Sequence, residues 1–169
     1  MSDVPGATFL YTLATLLVTF AGFSALLLSI RQAIGAHLSA LDRFLTRTTV
    51  GHALVLTGGS LLPPLLQLYG LPEAWIWKAS ALIFGVPYLV LLLTFPRRRV
   101  TATGSPPPRF IAITFIGLGS ASLVAMIAYV LGNFPRSDAV YITALTVNFF
   151  TLALAFVVAL EVILRQPTD

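Results

Sequence analysis

Five runs of apolar residues divide the chain, at 8–30, 48–69, 74–95, 110–131 and 139–164. At 1.5 Å per residue each is long enough to cross about 30 Å of hydrocarbon. The pattern predicts an all-α polytopic membrane bundle of five transmembrane helices forming one integral membrane domain over 1–169, with cytoplasmic connections at 31–47 and 96–109. The tail before the first run holds Asp3 and no basic residue, so it lacks the positive region of a signal peptide and the run reads as a retained helix. The second run is the least regular. Gly58, Gly59, Pro63 and Pro64 fall inside it, which predicts a kink at Pro63/Pro64. Pro63 frees the carbonyl of Gly59, and in a membrane that oxygen finds a hydroxyl or water, or helps hold a ligand.

Between the first two runs, Ile34, Leu38, Leu41 and Leu45 recur at helical spacing, and Ser39 with Asp42 resembles a capping box. A helix starting there and running on into the second span would protrude into the cytoplasm. The alternative is a separate helix lying on the inner leaflet. The loop PRRRVTATGSPPPR reads as a flexible link. Membrane topology accounts for Arg97, Arg98 and Arg99, and a role with lipid headgroups or a protein partner stands beside that reading.

Composition agrees with the pattern. With 57% hydrophobic and 9% charged residues and a mean hydropathy of +0.93, sixteen charges cannot cover a water-exposed surface. The basic residues lie at span ends, so a pI near 10.0 reflects orientation and no nucleic-acid role is assigned. Arg31, Arg43, Arg47, Arg97, Arg98, Arg99, Arg109 and Arg165 fall on one side, and Lys78 and Arg136 on the other. This predicts an outside N-terminus and a cytoplasmic C-terminus. Tyr11, Tyr69, Trp75, Trp77, Tyr129 and Tyr141 fall near the outer interface, where amphipathic rings sit, and Tyr88 alone does not.

Several polar or small residues inside the spans are candidates for function. Thr8, Thr12, Thr15, Thr19, Gly22 and Ser29 form one stripe on the first helix. It reads as a helix interface, or with Asn148 and Gln67 as a polar path in an oligomer. Gly117, Ala121 and Ala125, at four-residue spacing, are with Gly22 the candidate packing positions. His52, Gly59, Pro63 and Gln67 share a face of the second helix. Arg31, His52, Glu161 and Arg165 make a candidate charge cluster at the cytoplasmic end, either structural or a gate.

Absent cysteine excludes disulfides and thiolate sites, and His37 and His52 lie far from any carboxylate cluster, so no metal or cofactor is expected. No catalytic constellation, phosphate-binding loop or internal repeat is visible, which points away from an enzyme or a self-contained carrier. AGFSALLLSIRQ, ALDRFL, LLPPLL and WIWKAS together resemble a recurrent family of small bacterial multi-pass membrane proteins with no assigned biochemistry, over most of the chain. Lys78 stands where that pattern more often has arginine. The resemblance implies a bacterial inner-membrane location and carries over no functional residue. The expected function is a channel-like or permeation subunit, with a non-catalytic scaffold or sensor subunit as the alternative. The expected partners are membrane lipid and a second copy or another membrane subunit.

Overall fold

The computed structural model describes residues 4, 6–33, 35, 39–132 and 137–165, with the side chains of 137, 159 and 161–165 left out. In chain order the elements are α1 (Ala7–Ala33), α2 (Ala40–Gln67), α3 (Glu73–Thr103), α4 (Arg109–Ala112), a π-helical turn (Ile113–Gly117), α5 (Leu118–Val130) and α6 (Ser137–Arg165). No strand occurs among the described residues. Five helices are long and apolar enough to cross a membrane, the fourth being α4, the π turn and α5 in succession.

Local chemistry explains where the helices begin and end. Ser39 adopts an extended conformation and its hydroxyl accepts from the Asp42 N–H at 3.1 Å, while Asp42 Oδ2 accepts from the Ser39 N–H at 3.0 Å. This reciprocal box starts α2 at Ala40, and the helix then runs without a break to Gln67. α3 departs from expectation. It continues through Pro96 and the three arginines to Thr103, so the connection predicted from 96 to 109 is helical as far as 103. Arginine is a good helix former, and leaving the hydrocarbon is no reason for a helix to stop. The stop is Gly104 at φ +70°, whose N–H closes on the Val100 carbonyl at 2.8 Å, with three prolines following.

α2 is the central helix, packed against α1, α3 and α6, whereas α1 touches mainly α2. It is also the least hydropathic of the five spans and the most buried. The two facts belong together, because a helix surrounded by protein need not be lipophilic. Gly59 admits the Phe84 ring so closely that a Cβ there would lie 2.6 Å from it. Gly119 does the same for Tyr88, whose hydroxyl would lie 2.7 Å from an added Cβ. Small residues at such crossings allow the dispersion contacts that hold membrane helices together, since lipid offers no hydrophobic drive between them.

The main core joins Leu10, Leu13 and Leu17 of α1 to Leu56, Trp77, Phe84, Tyr88, Tyr141 and Leu145. A smaller cluster, Phe44, Leu92, Phe95 and Phe115, fills the end where α2 begins and α3 finishes. The interfacial aromatic set divides. Tyr11, Tyr69 and Trp75 face outward, but Trp77, Tyr129 and Tyr141 are buried in the bundle. Depth along a helix is read from sequence position alone, whereas the face depends on which neighbours the helix acquires.

Candidate functional site

The interior holds a layer of polar side chains at the level where α2, α3 and α6 meet. Tyr88 donates its hydroxyl hydrogen to Asn148 Oδ1, and Asn148 Nδ2 donates to the Ala144 carbonyl one turn earlier at 2.7 Å. Both side chains are buried, Asn148 at 0% exposure. His52 lies beside this pair with its ring 5.6 Å from Tyr88 and 5.0 Å, edge to face, from Phe115 of the π turn. Neither of its nitrogens has a hydrogen-bond partner among the described residues. Tyr88, the one tyrosine away from the outer interface, lies in mid-span, where a buried hydroxyl needs an internal acceptor, and Asn148 supplies it.

A second polar contact lies on the side of the layer toward Gln67. Pro63 deprives the Gly59 carbonyl of its helical donor, and the Tyr141 hydroxyl supplies the replacement at 2.7 Å. Between the expected hydroxyl, water and ligand, a hydroxyl of α6 takes the place. On the opposite side of the layer, a cavity of about 60 Å³ opens among Thr48, Thr49, Phe95, Arg99, Phe115 and Thr151. Arg99 is 7% exposed, and its Nε has no hydrogen-bond partner among the described residues.

The sequence candidates separate into groups. Thr8, Thr12, Thr15 and Thr19 face outward, and the last three donate to the carbonyls of Thr8, Tyr11 and Thr15 at 2.9 Å. Asn148 faces inward, and Gln67 accepts from the Val4 N–H at 3.2 Å near the chain's start. The structure therefore does not bring the polar-path residues together within one chain. Gly22 and Gly117 meet nothing within 4 Å of an added Cβ, and Ala121 is exposed. Ala121 and Ala125 line an open groove between α5 and α6.

Of the charge cluster, Arg31 and His52 are the members with described side chains, and each has other neighbours. Arg31 pairs with Asp42 at 3.2 Å, and Asp42 is the same carboxylate that starts α2. His52 lies with Tyr88 and Phe115 instead, while the side chains of Glu161 and Arg165, like the whole of His37 and Arg136, lie outside the described residues. The partner Asp42 was missed because it had been assigned to the capping box alone, although a carboxylate has lone pairs enough for both tasks.

Past the end of the hydrocarbon-length run, Arg97 is exposed and Arg98 half-buried. Among the described residues no group of three or more His, Cys, Asp or Glu side chains could hold a metal ion. Comparison of the chain with protein-family models, with curated proteins and with solved structures finds no match.

Proposed function

We propose that the protein is a non-conducting, non-catalytic membrane subunit that works through helix contacts, with a second copy of itself or with another membrane protein. One observation carries the reading. The small and hydroxylated faces, Thr8 to Gly22 on α1 and Gly117 to Ala125 on the fourth span, turn outward, while the bundle interior is filled by Tyr88, Asn148, Phe84 and Tyr141. Outward small residues let another helix approach closely, and a filled interior leaves no room for a stream of solute. The permeation reading keeps one foothold: since Thr8, Thr12, Thr15 and Thr19 face outward, a hydrated route along them would form only between protomers.

The location proposed with this function is a bacterial inner membrane, resting on the family resemblance. The orientation has the N-terminus outside and the C-terminus inside, resting on the arginine-rich end of the bundle. α2, with 28 residues, is about 42 Å long at 1.5 Å per residue, which supports its protrusion past the inner leaflet, and Pro63/Pro64 support a bend within the span.

Flux and crosslinking test the function together. Purified protein in liposomes is expected to pass no ion or small solute, and to crosslink as a species larger than one chain. Gly117→Leu with Ala121→Leu is expected to abolish that crosslinking without unfolding the chain, because an added Cβ at Gly117 has open space and Ala121 is exposed. Flux that disappears in Thr15→Val/Thr19→Val would establish permeation instead. For orientation, a reporter active only in the periplasm and fused after Gly104 is expected to stay silent.

A further inference from the structure

An open cleft of about 540 Å³ lies between the beginning of α2 and the end of α3. Arg43 and Arg47, one turn apart, line it from α2, and Arg97 and Arg98 line it from α3, with Phe44 and Thr101 between them. No carboxylate among the described residues lines the cleft. Asp42, the carboxylate that neighbours the cleft in sequence on α2, is bound to Arg31 of α1 and to the start of its own helix.

Four guanidinium groups held together without an acid repel one another, and part of the arrangement is not free to spread into solvent. Arg98 Nε and Nη2 are shielded from solvent and have no hydrogen-bond partner among the described residues. Buried charged donors without an acceptor are costly, so a protein that keeps them there gains most when an anion completes them. The planar fork of arginine matches the oxygens of a phosphate group, and guanidiniums from two helices can grip one phosphate from both sides. Thr94, at the end of the third apolar run, also lines the cleft, which places it where an apolar run gives way to arginines, at headgroup depth for a membrane span.

We propose that this cleft is a phosphate-binding site, occupied either by the headgroup of an anionic phospholipid or by a soluble phosphate. In either case a phosphate oxygen accepts from Arg98 and Arg47, with Arg43 and Arg97 closing over it.

The test uses the full chain in phosphatidylcholine vesicles, with phosphatidylglycerol added at rising fraction in one arm and inorganic phosphate in the other. The thermal unfolding midpoint is expected to rise and saturate in at least one arm. Saturation with lipid alone identifies a headgroup, and saturation with phosphate identifies the soluble ion. Arg47→Gln with Arg98→Gln is expected to raise the half-saturating concentration about tenfold, as loss of charge-assisted hydrogen bonds does. Arg43→Gln with Arg97→Gln, both exposed, repeats the comparison if the first pair does not reconstitute. Arg109→Gln, exposed and outside the cleft, is expected to change it less than twofold. No saturation in either arm, or an Arg109→Gln effect as large as that of the cleft pairs, overturns the proposal.

Discussion

Tyr141 supplies the hydrogen bond that Pro63 takes from α2, and its hydroxyl is buried where no water competes. Tyr141→Phe strands the Gly59 carbonyl and is expected to cost about 1–3 kcal/mol, measured by denaturant unfolding in micelles. Gly59→Ala drives a methyl into the Phe84 ring, and overpacking of this kind costs about 1–3 kcal/mol. Gly22→Ala, with open space around it, is expected to stay within about 0.5 kcal/mol in the same assay. His52→Leu removes two ring nitrogens that have no partner among the described residues, so the fold is expected to keep its stability and the variant isolates any role those nitrogens play. The freed Gly59 carbonyl was legible in the sequence because proline's missing N–H acts at a fixed distance along its own helix. Tyr141 was not legible as its donor, since the two lie 82 residues apart and only the packing of α6 on α2 brings them together.

At the start of α2, the reciprocal hydrogen bonds of Ser39 and Asp42 are local, and local chemistry can be read without knowing the fold. Ser39→Ala is expected to cost about 0.5–2 kcal/mol and to speed hydrogen exchange at the Asp42 amide, which loses its acceptor. The end of α3 behaves differently. Apolar runs report where hydrocarbon ends, and there the chain turns polar at Pro96, but the helix persists until a residue with positive φ is available. Gly104→Ala places a side chain in the left-handed region at a cost of about 1–2 kcal/mol, and faster exchange at the residue 104 amide would register the loosened turn. The π turn at Ile113–Gly117 has no residue signature that distinguishes it from the α-helix on either side.

The bundle as a whole sorts its helices by the company they keep. Trp75 is 64% exposed and Trp77 is fully buried, two residues apart on one helix. Because the chain has two tryptophans, Trp77→Phe leaves a fluorophore expected to be quenched by brominated lipid, and Trp75→Phe leaves one expected to resist it. Which faces turn inward was beyond the sequence, for periodicity fades when lipid and protein interior are nearly equally apolar. Glycine and proline made the second run look like the least regular span, and it is the one that packs against α1, α3 and α6. This has a consequence for biosynthesis. Emerging from the ribosome, α2 meets the bilayer before α3 and α6 exist to shelter it, with low lipophilicity of its own. Its commitment to the membrane is then expected to wait for later segments, with α1 the neighbour already made. A nascent chain stalled once α2 but not α3 has left the ribosomal exit tunnel is expected to remain extractable, whereas one stalled after α3 has also emerged is expected to lodge firmly.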